Sequence, residues 1–176
     1  MRRFLAALLF VTAILTACGA PRAATPSPGA GTLAANATLD ANATLEYITD
    51  GDTIGVRVHG KVERVRLIGI DTPETKKPNT PVQCFGPEAT KYTTSLLPAG
   101  TRLHLERDVV ARDVYGRLLA YVYRSDDGMF VNLQIIRHGY ARPLTIPPNV
   151  AHVDEFVAAA QAARTDDIGL WARCSG

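Results

Sequence analysis

The sequence is poor in the residues that build zinc and redox centres. It holds four histidines and three cysteines in 176 residues, and no two of them stand at the short spacings of a zinc ligand set. His59 adjoins a turn, His104 lies in a strand-like run, His138 stands at a helix end and His152 falls near Glu155. All four read as structural or surface residues. A membrane-spanning helix is missing too, because the apolar run Phe4–Leu15 is shorter than the roughly 20 residues a bilayer requires. Charge of either sign is scarcely in excess. The formal net charge is +2, and removing Arg2 and Arg3 with an export signal leaves 17 basic residues against 17 acidic. A broad polyanion-binding surface is therefore not implied, and any affinity for nucleic acid must come from local placement of Arg and Lys.

What is present falls into three segments. Met1-Arg2-Arg3 and the apolar run behind it have the form of an export signal, and Leu15-Thr16-Ala17-Cys18-Gly19 resembles a bacterial lipobox. Residues 1–17 are expected to be a lipoprotein-type signal peptide. Cys18 is the expected lipidation site, anchoring the chain to a membrane in the cell envelope or on the extracellular side. Residues 18–43 are rich in Ala, Pro, Thr, Gly and Asn without apolar periodicity, as in a flexible tether. Within the tether and running past it, Ala35-Asn36-Ala37-Thr38-Leu39 recurs as Ala41-Asn42-Ala43-Thr44-Leu45, a short duplication. Residues 44–176 are one domain's worth of chain. With Cys18 used, Cys84 and Cys174 are left in that domain, and two thiols outside the cytoplasm are expected to pair.

In the domain, Leu45–Thr49, Ile54–His59, Val62–Ile70, Thr101–Asp108 and Arg117–Arg124 read as strands, from β-branched content and alternation. Pro87 opens a helix that runs to about Leu97. Val131–His138 is a short helix stopped by Gly139, and Asn149 is the expected cap of a longer one through about Arg164. The pattern predicts an α+β domain: an OB-type five-stranded β-barrel with three packed helices, one of them between the third and fourth strands.

Polar residues gather at the ends of these strands. Asp52 lies eight residues before the Gly60 turn and Asp71 eleven after it, so an antiparallel pair returns both carboxylates to one end of the sheet. Two carboxylates brought together repel unless a cation lies between them, and an all-oxygen set without nearby His or Cys suits calcium or magnesium. Arg66 carries a planar fork able to hold a phosphate, Glu74 is placed to orient or deprotonate a water, and Arg117 follows the Tyr115-Gly116 turn. Tyr115 offers a ring for a base or sugar. In a straight strand Arg66 and Asp71 point to opposite faces, so both can serve one site only if the backbone bends, and Gly69 is the expected bend.

Thr49–Thr53, Val65–Glu74 and Asp113–Tyr121, in this order and spacing, resemble the thermonuclease (staphylococcal-nuclease-like) family. Gly86-Pro87-Glu88-Ala89, Met129-Phe130-Val131-Asn132 and Gly169-Leu170-Trp171 fall where that family has similar segments. The resemblance implies a calcium-dependent phosphodiesterase acting on DNA and RNA and leaving 3′-phosphate ends. It makes Asp52 and Asp71 calcium ligands through their carboxylates and Thr72 through its backbone carbonyl. Arg66 and Arg117 would bind the scissile phosphate, Glu74 would act as general base, and Tyr115 would line the nucleotide pocket. The sequence departs from the family at Val114, where lysine is common, and at Leu144 and Ile146, which replace aromatic residues. A monomer is expected. Two other readings use the same residues: an OB module that binds nucleic acid without cutting it, and a lipoprotein whose acidic pair holds calcium for stability alone.

Overall fold

The structure is a computed structural model, and it describes residues 39–76 and 78–174. The signal segment and the Cys18 lipidation site lie outside these residues. Among the described residues there are seven strands and four helices: β1 (Ala43–Asp50), β2 (Thr53–Val58), β3 (Lys61–Leu67), β4 (Gly69–Asp71), α1 (Gly86–Leu96), β5 (Arg102–Glu106), β6 (Leu118–Arg124), α2 (Val131–Arg137), β7 (Arg142–Leu144), α3 (Val153–Thr165) and α4 (Leu170–Arg173).

Five strands close a barrel in the order β1-β2-β3-β6-β5, with β5 pairing back to β1. All pairings in it are antiparallel except β3 with β6, which run parallel from Val65 opposite Leu118 to Leu67 opposite Ala120. The inward residues of the strands are aliphatic and fully buried: Leu45, Ile54, Val56, Val65, Leu67, Leu103 and Val122. Burial of such side chains stabilises by about 1.5–3 kcal/mol each, before conformational entropy is set against it. α3 covers one side of this core through Phe156, Ala160 and Ala163, whose spacing places them on one helix face. The α+β barrel is thus the expected one, and the helix between the third and fourth barrel strands is α1.

The detail differs from the sequence reading in four places. The run expected as one strand, Val62–Ile70, is two. β3 ends at Leu67, Gly69 takes a positive φ of 81°, and β4 leaves the barrel to pair with β7, Asp71 opposite Arg142. Asn149 does not cap α3, which begins at Val153. Its side-chain amide instead accepts from Val110 N (2.7 Å) and donates to Val110 O (3.0 Å), because one amide can satisfy both backbone groups of an otherwise unpaired loop residue. Residues 39–43, placed by composition in the tether, are joined to the barrel. Leu39 N donates to Ser125 O, and Asn42 pairs through its side chain with both backbone groups of Leu105. Finally, the short α4 is a fourth helix, after the three expected. No helix among the described residues is long and apolar enough to cross a membrane.

Cys84 and Cys174, the expected pair, are joined with a Cα–Cα separation of 5.9 Å. The bridge ties the segment before α1 to the segment after α4, 90 residues apart in sequence.

Candidate active site

The bend at Gly69 builds the site. A Cβ on Gly69 would lie 2.2 Å from the Phe156 ring, so positive φ and close packing both require glycine there. Asn132, buried at the start of α2, donates its amide to Ile68 O (2.9 Å) and accepts from Val122 N (2.9 Å), locking the residue before the bend to β6. Turned out of the barrel in this way, Asp71 comes back beside the turn between β1 and β2. There Gly51 lets Thr72 approach to a distance no Cβ would permit, 2.7 Å from the place one would occupy.

Four polar groups converge on the buried Asp52 carboxylate, which is 6% exposed. Its Oδ2 accepts from Thr72 N (2.8 Å) and from Thr72 Oγ1 (3.0 Å). Its Oδ1 accepts from Thr53 Oγ1 (3.1 Å) and lies 3.3 Å from Arg66 Nε. Arg66 extends from Asp52 to Asp71, with Nη2 donating to Asp71 Oδ1 at 3.0 Å. Its Nη1 donates to Leu67 O (2.7 Å) and Ile70 O (2.8 Å), so the guanidinium also staples the bend. Desolvation by its surroundings raises the Asp71 carboxyl above the ordinary value; the charges of Asp52 and Glu74 add to this and Arg66 opposes it. Asp50, which the sequence reading did not single out, lines the same cleft. Burial, with the Asp52 charge beside it, raises its carboxyl to about 6. Its signal in the sequence was the close repeat Asp50-Gly51-Asp52.

Glu74 stands at the far side of the cleft. Its Oε1 accepts from Thr75 N (2.9 Å) and Lys76 N (2.7 Å). Its backbone is paired in both directions with Gln83: Glu74 N donates to Gln83 Oε1 and Gln83 N donates to Glu74 O, each at 2.9 Å. Gln83 precedes Cys84, so the disulfide fixes the loop segment that holds Glu74. No sequence signal marked Gln83.

Arg117 comes from the start of β6. The Asp113 carboxylate accepts from Tyr115 N and Arg117 N through Oδ1 and from Arg117 Nε through Oδ2 (2.6 Å). Burial alone would raise the Asp113 carboxyl, but these hydrogen bonds and the Arg117 charge hold it below its ordinary value. The two Nη groups of Arg117 have no partner among the described residues, and its Cζ lies 5.5 Å from the Tyr115 ring centroid. Arg112, paired with Glu63 at 3.0 and 3.1 Å, also donates to Gly116 O and holds this loop against β3.

Asp52, Arg66, Asp71, Thr72, Glu74, Tyr115 and Arg117 thus all line one polar cleft of about 560 Å³, joined there by Asp50, Arg64 and Lys76. Every residue expected at the site is brought to it. A second, apolar cavity of about 450 Å³ borders the cleft and shares Arg66, Tyr115 and Arg117 with it. Its wall includes Val114, Leu144 and Ile146, and its rim carries Tyr115, 80% exposed.

A closed five-stranded barrel with helices packed on it, and an acidic and arginine-lined cleft beside a bent strand, defines an OB-type α+β protein. The chain belongs to the family described as Staphylococcal nuclease homologue, whose model matches residues 64–173. It is 43% identical over 134 residues to Endonuclease YncB of Bacillus subtilis (strain 168), covering 75% of this chain and 62% of that protein. It is 43% identical over 132 residues to the SPbeta prophage-derived endonuclease YokF of the same organism, covering 74% of this chain and 44% of that protein. With the Thermonuclease of Staphylococcus intermedius it shares 44% identity over 129 residues, 73% of this chain and 75% of that one. The matched region is less than two thirds of the length of the two Bacillus proteins.

Proposed function

We propose that this chain is an exported, calcium-dependent nuclease, anchored to a membrane through Cys18, that hydrolyses phosphodiester bonds of DNA and RNA and leaves 3′-phosphate ends. The observation that carries this reading is the convergence of Asp52, Asp71, Glu74, Arg66 and Arg117 on one cleft. Membership of the family and the names of its similar relatives, endonucleases and a thermonuclease, support it.

The donor set fits a hard cation. Asp52, Asp71 and the Thr72 carbonyl are oxygen ligands, and Arg66 lies between the two carboxylates as a positive stand-in. Among the described residues no three acidic, histidine or cysteine groups converge tightly enough to form a complete cage. Bound calcium would supply charge neutralisation at the phosphate.

The protein's own groups do the rest. The free fork of Arg117 binds two phosphate oxygens and binds them more tightly as charge builds on them. The remaining Nη2 hydrogen of Arg66 reaches the same phosphate. Glu74, fixed by two backbone N–H groups and by Gln83, takes a proton from the attacking water. The bond from phosphorus to the 5′ oxygen breaks, and that oxygen takes up a proton from solvent. Tyr115 and the apolar cavity beside it receive the base, through aliphatic contact at Leu144 and Ile146.

The test is cleavage of single-stranded DNA by the purified protein with calcium, with magnesium alone and with a chelator, beside Glu74→Ala. Calcium-dependent cutting lost in the variant supports the reading. Absence of cutting with every metal, while calcium still raises the melting temperature, replaces it with the structural-calcium reading.

A further inference from the structure

The cleft opens on a second groove that the chemistry above does not use. Asp71 and Pro73, which line the cleft, also line a groove of about 210 Å³ that passes Gln83 and the Cys84–Cys174 bridge and ends at Arg142. The β4–β7 ribbon fixes this arrangement by setting Arg142 directly opposite Asp71. Arg142 is exposed, and its Cζ lies 4.6 Å from the Trp171 ring centroid. Arg164, near the end of α3, brings its Cζ within 5.6 Å of the same ring. The indole nitrogen is buried and makes no hydrogen bond among the described residues, so the indole serves here through its ring.

Six other arginines are met by acids. Arg57, Arg66, Arg102, Arg112, Arg117 and Arg124 each lie within ion-pair distance of a carboxylate. Arg142 and Arg164, like Arg64, Arg107, Arg137 and Arg173, have no such carboxylate among the described residues, and these two share one ring. One ring therefore gathers two guanidiniums without neutralising either, beside an active-site cleft. Two like charges gathered at one ring repel, and an anion that contacts them relieves the cost. A phosphodiester backbone supplies such an anion at every nucleotide, and guanidinium is the side-chain group best matched to it.

We propose that Arg142 and Arg164, held on Trp171, form a second phosphate subsite for single-stranded nucleic acid, engaging the backbone beyond the scissile phosphate on the Asp71 side of the cleft. The proposal rests on the nuclease reading. It makes the enzyme's affinity depend on substrate length. A dinucleotide fills the cleft and the Tyr115 pocket alone, whereas a longer strand also enters the Arg142 groove.

Trp171 is the sole tryptophan of the chain, so its emission reports on this subsite directly. In chelator, where cutting is suppressed, a 20-nucleotide single-stranded DNA is expected to change Trp171 emission, and a dinucleotide is not. With calcium, Arg142→Glu is expected to raise KM for the 20-mer about tenfold with kcat unchanged and to leave both constants for the dinucleotide unchanged. Arg142→Lys restores most of the lost affinity. The slope of log(kcat/KM) against log salt should fall by about 0.7 for each phosphate contact removed from a single strand. Equal effects of Arg142→Glu on both substrates, or a KM for the 20-mer within twofold of wild type, overturns the subsite and leaves the nuclease reading standing. Failure of the wild-type enzyme to cut either substrate overturns the nuclease reading first.

Discussion

Arg66 donates to Asp71 at 3.0 Å although the two are five residues apart in what the sequence presents as one strand, where they would face opposite sides. The contact exists because Gly69 turns the chain out of the barrel, and Arg66 in turn bonds the carbonyls of Leu67 and Ile70 on either side of that turn. Removal of Arg66 therefore has two consequences. Arg66→Ala is expected to lower turnover by about two orders of magnitude, as loss of one transition-state donor does. It should also cost about 1–3 kcal/mol of stability, since two carbonyls and two carboxylates lose a donor. Without metal the variant should be the less stable protein, and calcium should raise its melting temperature by more than it raises that of wild type. Thermal melts with and without calcium check this, and equal calcium shifts would contradict the stand-in role of Arg66.

Arg117 gives a contrasting expectation. Its fork is free and it staples no bend, so Arg117→Ala should lower kcat by about 10²–10³-fold with a smaller loss of stability than Arg66→Ala. Kinetics and melting of the two variants side by side decide it.

Gly69→Ala combines a positive φ with a Cβ inside the Phe156 ring. Strain of that kind costs about 1–3 kcal/mol, and overpacking a core costs a similar amount. Denaturant unfolding should show a loss within or above that range. A neutral result would mean that α3 can shift without penalty.

Gln83 holds Glu74 at both backbone groups without touching substrate. Gln83→Ala is expected to lower kcat several-fold at unchanged KM and nearly unchanged melting temperature, a split that general destabilisation does not produce. Reduction of the neighbouring Cys84–Cys174 bridge should lower kcat in the same direction and also cost about 2–4 kcal/mol of stability.

The Asp113 carboxyl titrates below its ordinary value of 3.8 in the folded protein. Its contribution to stability is therefore complete above that value and is lost as the pH falls below it toward the lower folded value. Asp113→Asn removes this contribution, so acid unfolding of the variant should show a shallower dependence on pH below about 4. Parallel acid limbs for the two proteins would exclude the pair as a source of acid sensitivity.

The sequence by itself determined the elements and the polar residues that stand at their ends. Alternation gave the barrel strands, Pro and Gly gave the helix limits, and the carboxylates and arginines stood at strand ends. These are local signals, set by backbone propensity and by periods of two and of 3.6 residues. Even the bend at Gly69 was legible, because two residues of one site could not otherwise face the same way. The tertiary structure decided what depends on residues distant in the chain. Asn149 turned from α3 to the Val110 backbone because its buried side-chain amide needed both a donor and an acceptor. Asn42, in a segment with the composition of a tether, was taken up by the edge of β5 through the same two-point match. Gln83 reached Glu74, and Arg142 and Arg164 met on Trp171, through pairings that no spacing announces. A hydrogen bond or a ring contact across the fold is decided by distance in space, and that distance exists only once the barrel has closed.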